Sequence, residues 1–177
     1  MPDLTSFWIS FRVALISTMI VTIFGILISK WLYNKNRYWV NLLESFIILP
    51  IVLPPTVLGF ILLIIFSTRS PVGEFFTNIL HLPVVFTLTG AVIASVIVSF
   101  PLMYQHTVNG FRSIDSKMLN TARTMGASET KIFLKLVLPL SKRSILAGIM
   151  MSFARAIGEF GATLMVAGYI PDKTNTL

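Results

Sequence analysis

The stretch N-T-A-R-T-M-G at residues 120–126, followed twelve residues later by Leu138-Pro139, is a polar and basic island in an otherwise apolar chain. Hydrophobic residues make up 55% of the 177 residues and charged residues only 12%. Soluble domains carry roughly 25% charged residues, and the mean hydropathy here is +0.83. These proportions predict an integral membrane protein in which the island lies outside the bilayer.

Four apolar runs flank the island, and each has about the length that crosses a bilayer as a helix. They cover residues 7–31, 45–66, 84–104 and 144–168. The sequence therefore predicts an all-α integral membrane protein with four spans in a single domain, 1–177. Cysteine is absent, which excludes disulfides and cysteine-based metal sites.

Basic residues are concentrated at the ends of these runs. Seven of the fourteen Lys and Arg lie between Arg112 and Arg143, and three more lie between Lys30 and Arg37. Because cytoplasmic loops are enriched in Lys and Arg, we expect both clusters in the cytoplasm, with the N-terminus and the polar tail 169–177 outside. Nucleic-acid binding is disfavoured, since no aromatic residues are interleaved with a basic face.

The cytoplasmic loop predicted at 109–142 contains signals for two short helices. Ser113 or Asp115 can cap the first helix. Gly126 is well placed as the residue that follows its C-terminal end. Ser128 can cap the second helix. The sequence therefore predicts two helices joined at a glycine.

Apolar residues in the loop recur at helical spacing. The expected stripes are Met118, Ala122 and Met125 on the first helix, and Ile132, Phe133, Leu136 and Val137 on the second. Pro139 is expected to end the second helix, because proline lacks the backbone donor that a helix interior needs. One interpretation of the loop is an amphipathic hairpin that lies on the membrane surface.

Two apolar runs contain residues that are costly inside a membrane. The second has Pro50, Pro54 and Pro55, and helix breaks of this kind survive where protein or a water-filled cavity surrounds them. Two interpretations of these prolines stay open: a kink that serves helix packing, and a bend that lines a translocation path. The fourth run holds Arg155 and Glu159, four residues apart on one helix face. They form either a mutually satisfied structural pair or a polar patch on a substrate path.

The sequence lacks the motifs of nucleotide-binding and hydrolytic sites. No G-x-x-x-x-G-K-[ST] loop is present, and neither H-E-x-x-H nor G-x-S-x-G occurs. We therefore expect a chain that is not an enzyme and that holds neither a cofactor nor a metal.

The island resembles the E-A-A-x3-G-x9-I-x-L-P loop of the permease subunits of bacterial ABC importers. The positions that agree are Ala122, Gly126, Leu138 and Pro139. Asn120 stands in place of the glutamate, Thr121 in place of the first alanine and Leu136 in place of the isoleucine. The resemblance implies an element that couples to an ATPase, formed by Asn120, Thr121, Ala122, Arg123, Gly126, Leu138 and Pro139.

Two further stretches narrow the resemblance. Residues 49–59, L-P-I-V-L-P-P-T-V-L-G, look like the second span of the molybdate and sulfate permease group. Residues 153–165, F-A-R-A-I-G-E-F-G-A-T-L-M, resemble the molybdate branch. Sulfate and thiosulfate relatives have tyrosine and then glycine-serine where residues 160–163 stand here. The resemblance covers nearly the whole chain.

The resemblance implies a type I ABC importer permease in the bacterial cytoplasmic membrane. Such a permease is a homodimer, driven by two cytoplasmic ATPase subunits and supplied by an extracytoplasmic oxyanion-binding protein. The expected substrate is molybdate or tungstate; the alternatives are a sulfate or thiosulfate permease, and a non-transporting anchor or sensor subunit. Residues proposed for the substrate path are Pro54, Pro55, Thr56, Arg155, Glu159 and Thr163. Because the family carries another span after the position of Leu177, we expect a fifth span and a C-terminally incomplete chain.

Overall fold

The computed structural model describes residues 4–33, 35, 37–79 and 81–168, so the predicted outer tail lies outside the described residues. The helices are α1 (Leu4–Tyr33), α2 (Arg37–Val52), α3 (Pro55–Ile65), α4 (Pro71–Glu74), α5 (Leu88–Arg112), α6 (Ser116–Thr124), α7 (Glu129–Ile132), α8 (Leu138–Leu140), α9 (Lys142–Ile157) and α10 (Gly161–Ala167). A π-helical turn at Phe75–Ile79 follows α4, and another at Phe133–Val137 joins α7 to α8. No strand occurs in the described ranges, and the prediction of an all-α fold is confirmed.

Two helices, α1 over Ser6–Tyr33 and α5, are each long and apolar enough to cross a bilayer. The helices α2 and α3 reach that length only together, and they are bent by 114° at the break between them. The helices α9 and α10 likewise form a pair, bent by 58°. Among the described residues there are thus two crossing helices, or four crossings if each bent pair is one span. The second and fourth predicted spans each contain a break.

Helices α1 and α5 are joined side by side through two buried serines. Ser17 Oγ donates a hydrogen bond to the Val92 carbonyl at 3.3 Å, and Ser29 Oγ donates to the Tyr104 carbonyl at 3.4 Å. Residue numbers rise together along both helices, so α1 and α5 run parallel. Hydrogen bonds between helices contribute to association inside a membrane, where apolar surface gains little by leaving lipid.

Helix α9 packs against α5 in the opposite direction. The buried Ser152 Oγ donates to the Ser99 carbonyl at 3.3 Å. At the other end of the pair, a Cβ built on Gly110 would lie 2.6 Å from Ser144 Cβ. Small residues at both ends therefore let the two backbones approach closely, as in other membrane helix pairs.

A single carboxylate ties α2 to the C-terminal end of α5. Glu44 Oε1 accepts a hydrogen bond from Tyr104 Oη at 2.8 Å and another from Arg112 Nη2 at 2.7 Å. The Glu44 side chain is mostly buried, whereas that of Arg112 is partly exposed. This contact has no local signature in the sequence, since its partners lie 60 and 68 residues away from Glu44.

Candidate functional site: a polar loop and two helix breaks

Both short helices of the polar loop at residues 109–142 begin at predicted caps. Asp115 Oδ1 accepts a hydrogen bond from the Lys117 N–H at 2.8 Å and caps α6. Ser128 Oγ accepts from the Lys131 N–H at 3.4 Å and caps α7. Ser113 instead ends α5, so the prediction that Asp115 or Ser113 caps the first helix is confirmed for Asp115.

Gly126 follows the end of α6 with a φ of +80°. Its N–H donates to the Arg123 carbonyl at 2.9 Å, and the Ala127 N–H donates to the Ala122 carbonyl at 3.1 Å. This pair of bonds is a Schellman motif, which satisfies carbonyls that the helix end leaves open. Glycine adopts a positive φ without the steric cost that a Cβ imposes. The prediction of a glycine just past the first helix is confirmed.

The second loop helix does not end at Pro139, and that prediction was wrong. The helical backbone continues from α7 through the π-helical turn into α8, and a turn follows at Ser141. Pro139 lies in the first turn of α8.

The buried face of α6 differs from the predicted stripe. Met125 is 82% exposed and Met118 is also exposed, whereas Leu119 is only 4% exposed. Ala122 packs against the same cluster as Leu119. The stripe was therefore wrong for both methionines. The second stripe is confirmed, because Ile132, Phe133, Leu136 and Val137 all belong to that cluster.

Arg123 joins the two loop helices on their exposed side. Its Nε lies 2.7 Å from Glu129 Oε1, and its Nη2 donates to Glu129 Oε2 at 3.3 Å. Its Nη1 donates to Asn120 Oδ1 at 2.7 Å. The carboxylate that Arg123 binds thus comes from Glu129 on α7, and Asn120 contributes a neutral acceptor. This role of Glu129 was not predicted from the sequence, although Glu129 stands next to the cap Ser128.

The Arg123–Glu129 pair is expected to contribute to the stability of the folded state in a way that depends on pH. The hydrogen bonds from Arg123 hold the pKa of Glu129 below its usual range, and the same bonds raise the pKa of Arg123. A carboxyl whose pKa is lowered on folding stabilises the folded state. This contribution is fully present above the pKa of the group in the unfolded state, here about 4.3. It is lost as pH falls through the pKa of the group in the folded state.

We expect wild type and Glu129→Gln to differ in melting temperature by a constant amount between about pH 6 and 8 and to converge below about pH 4, past the ordinary range of Glu. Thermal melts of the detergent-solubilised protein across this pH range provide the measurement. A difference that widens on acidification would contradict the assignment. Glu74→Gln, at an exposed acidic residue outside the loop, is the control and is expected to lack this pH-dependent difference.

The two helix breaks meet each other. Pro54 precedes α3 and Pro55 is its first residue. A Cβ built on Gly161, the first residue of α10, would lie 2.8 Å from Pro55 Cβ and 3.6 Å from Thr56 N. One further turn along α3, a Cβ on Gly59 would lie 2.9 Å from the Ala162 Cα. The starts of α3 and α10 are therefore packed backbone to backbone.

Glu159 bridges the break between α9 and α10. Its Oε1 accepts a hydrogen bond from the Ala162 N–H at 2.8 Å, and its Oε2 lies 2.5 Å from Arg155 Nη1. The Glu159 side chain is 1% exposed and that of Arg155 is 32% exposed. A buried carboxylate needs such partners, because removing it from water is costly. The acidic charge near the start of α10 and the basic charge in the last turn of α9 also suit the dipoles of these helix ends.

The residues proposed for the substrate path divide between the two breaks. Pro54, Pro55 and Thr56 are exposed at the first break. Thr163 is buried, and its Oγ1 donates to the Glu159 carbonyl at 2.8 Å, so its hydroxyl is engaged by the backbone of the second break. Within the described residues no group of three or more His, Asp or Glu side chains could hold a metal ion.

Comparison with known proteins matches residues 8–175 to the family of binding-protein-dependent transport system inner membrane components. A Bacillus subtilis protein, provisionally named a molybdenum transport system permease, is 46% identical over 96% of this chain and 74% of its own length. The molybdenum transport system permease protein of Azotobacter vinelandii is 34% identical over 99% of this chain and 77% of its own. A protein of Chlorokybus atmophyticus, provisionally named a sulfate transport system permease, is 31% identical over 98% of this chain and 60% of its own.

Proposed function

The chain belongs to the family of binding-protein-dependent transport system inner membrane components, and on this premise we propose that it is the permease subunit of an ATP-driven importer of molybdate. A membrane component of such a system is a transport subunit and not itself an enzyme. The observation that carries the choice of substrate is the 46% identity, over 96% of this chain, to a protein named for molybdenum transport. The Azotobacter vinelandii relative carries the same substrate in its name.

The cytoplasmic loop is the surface that docks on a separate ATPase subunit. Three features support this role: α6 is short, it is capped by Asp115, and it ends in the Schellman motif at Gly126. Arg123 then links α6 to α7 through Glu129, so the two helices move as one body. The exposed Met118 and Met125 give the loop an apolar surface on the side that faces away from the bundle.

The complete importer contains two copies of the permease, two ATPase subunits and an extracytoplasmic binding protein. The chain crosses the bacterial cytoplasmic membrane several times, with its N-terminus outside and residues 109–142 in the cytoplasm. The supporting observation is the distribution of Lys and Arg, half of which lie between Arg112 and Arg143, since such clusters favour the cytoplasmic side.

The translocation path passes the junction of the two helix breaks. Discontinuous helices are a recurrent feature of transport sites, because unwound backbone inside a membrane is tolerated where it lines a cavity. Residues assigned to this path are Pro54, Pro55, Thr56, Arg155, Glu159 and Thr163. Arg155 and Glu159 support the assignment most directly, because ionisable groups at membrane depth generally face a bundle interior or water.

Sulfate is the second candidate substrate. The Chlorokybus atmophyticus relative named for sulfate transport favours it, and sulfate shares with molybdate the tetrahedral shape and the double negative charge. Identity to that relative is lower, at 31%, than to the Bacillus subtilis protein.

Uptake in a deletion strain tests the substrate. The gene is returned to a bacterium that lacks its own copy but retains the partner ATPase and binding protein, and uptake of labelled molybdate and labelled sulfate is measured in parallel. We expect molybdate uptake to be restored, tungstate to compete with it, and sulfate uptake to match the strain with an empty vector. Restored sulfate uptake without molybdate uptake would overturn the assignment.

A further inference from the structure

We propose that Arg155 is the group that binds the transported oxyanion, and that Glu159 occupies Arg155 between transport events as a displaceable internal carboxylate. The inference rests on the proposed function, because it requires a permease whose substrate is a tetrahedral dianion. It assigns each member of the ion pair a separate task in the transport cycle.

The two oxygens of the Glu159 carboxylate are held by different helices. Oε1 accepts from the Ala162 N–H on α10, and Oε2 contacts Arg155 on α9. The carboxylate can therefore release Arg155 while Oε1 stays bound to α10. A change in the 58° bend between α9 and α10 is sufficient to separate Oε2 from the guanidinium.

Arg155 and Glu159 differ in burial, and the difference suits an exchange of the Glu159 carboxylate for the transported anion. Glu159 is enclosed at 1% side-chain exposure, whereas 32% of the Arg155 side chain remains accessible. Within the part of the chain that the structure describes, Glu159 is the one partner of this guanidinium. A guanidinium carries five N–H donors in a planar fork, so donors of Arg155 remain for a second anion.

A tetrahedral oxyanion is a suitable replacement for the carboxylate. It presents pairs of oxygens that a planar guanidinium can bind through two parallel hydrogen bonds. An unpaired dianion inside a membrane is prohibitively costly, so the path needs a cation. An unpaired Arg155 would be costly in the empty state as well, and Glu159 removes that cost. The returning carboxylate then repels and releases the anion.

The depth of Arg155 agrees with this task. It lies thirteen residues after Lys142, the first residue of α9, which corresponds to about 20 Å at 1.5 Å per residue. A hydrocarbon layer is about 30 Å thick. With Lys142 near the cytoplasmic surface, Arg155 lies beyond the middle of the bilayer, at the level where the breaks of both bent helix pairs meet.

The packing of α3 on α10 provides a route for the exchange. Gly59 and Gly161 bring the two helices into close contact, because a Cβ on either glycine would lie less than 3 Å from the other helix. A displacement of α3 is therefore transmitted to α10 and to the Glu159 carboxylate that is bound near its start. Arg155 stays with α9, which is hydrogen-bonded to α5 through Ser152. Movement of α10 relative to α9 opens the ion pair. Because α10 also packs on α5, where Val166 lies against Gly90, this movement slides α10 along α5.

The test uses the complete transport complex in proteoliposomes, together with its binding protein, and compares Arg155→Gln, Glu159→Gln and the double variant Arg155→Gln/Glu159→Gln. Glutamine at 159 keeps an acceptor for the Ala162 N–H. We expect uptake of labelled molybdate to fall about 10- to 100-fold in Arg155→Gln and in the double variant, the range that loss of a charge-assisted hydrogen bond represents. The control is Arg143→Gln, which removes an exposed positive charge from the other end of α9.

A binding measurement separates this role from a structural one. Labelled molybdate is titrated into the detergent-solubilised complex without the binding protein. We expect Glu159→Gln to bind it about tenfold more tightly than wild type, since the competing carboxylate is gone, a change equivalent to about one charge-assisted hydrogen bond. The double variant should show no saturable binding.

The outcomes distinguish the proposed role of Arg155 from the proposed transport function of the chain. If the double variant transports molybdate at the wild-type rate, or if Glu159→Gln binds it no more tightly than wild type, Arg155 is not the binding group and the ion pair is structural. If wild type transports none of molybdate, tungstate and sulfate, the proposed function is overturned and this inference with it. The amount of ATPase that co-purifies with each variant shows whether the complex is assembled.

Discussion

Replacing Gly126 with proline is expected to abolish ATP-driven uptake and to remove the ATPase from the purified complex. Gly126 has a φ of +80°, whereas proline is fixed near −65°. Proline also removes the N–H that donates to the Arg123 carbonyl at 2.9 Å. The expected cost combines a strained backbone conformation, about 1–3 kcal/mol, with a lost hydrogen bond, about 0.5–1.5 kcal/mol. The Schellman motif is lost with it, and so is the relative orientation of α6 and α7 that presents the docking surface.

Two milder substitutions control for this effect. A Cβ at Gly126 would meet nothing within 4 Å, so any penalty comes from the backbone conformation alone. Asparagine tolerates a positive φ and should retain both the ATPase and uptake. Alanine should fall between the two, at a cost of about 1–2 kcal/mol. Co-purification of the ATPase and uptake of labelled molybdate are measured together, and a proline variant that retains both would contradict the docking role.

Replacing Gly59 with valine is expected to separate α3 from α10. The first added carbon would lie 2.8 Å from Met165 Cβ and 2.9 Å from Ala162 Cα. A backbone atom cannot yield to it, so the helices must move apart. Overpacking of this kind costs about 1–3 kcal/mol, and the junction of the two breaks loses its geometry. We expect uptake to be lost and the melting temperature in detergent to fall by several degrees.

Gly158 provides the matched control. A Cβ built there has one neighbour within 4 Å, the Ala154 carbonyl at 3.5 Å, which is an ordinary contact distance. Gly158→Ala should therefore retain uptake and melt within about 2 °C of wild type, consistent with a change of a few tenths of a kcal/mol. Equal damage from Gly158→Ala and Gly59→Val would contradict the view that close packing of α3 on α10 is what matters.

Local chemistry explains which features of the loop were predictable. The caps Asp115 and Ser128 and the turn at Gly126 depend on bonds between residues at most five positions apart, and the sequence displays those residues directly. The position of Pro139 within a helix could not be predicted in the same way. A proline that ends one helix and a proline in the first turn of the next leave the same trace in a sequence.

Tertiary contacts explain what the sequence could not reveal. Spacing placed Met118 and Met125 on one stripe, but the face that the bundle covers is the neighbouring one, with Leu119 at its centre. The link from Glu44 to Tyr104 and Arg112 spans at least 60 residues and has no local signature. The pairing of Arg155 with Glu159 followed from their spacing, whereas the second bond of Glu159, to Ala162, required knowledge of where α9 ends.

The parallel arrangement of α1 and α5 constrains whether the segment between them crosses the membrane an odd or an even number of times. Ser17 and Ser29 bond to α5 in rising order, so both helices traverse the bundle in the same sense. If each crosses the bilayer once, the connection between them must cross an odd number of times. Under that condition, and if α2 and α3 supply the odd crossing, the 114° bend between them belongs to an oblique return passage. Under the same condition, the hydrogen bonds of two serine hydroxyls place the segments after α1 and after α5 on the same face of the membrane.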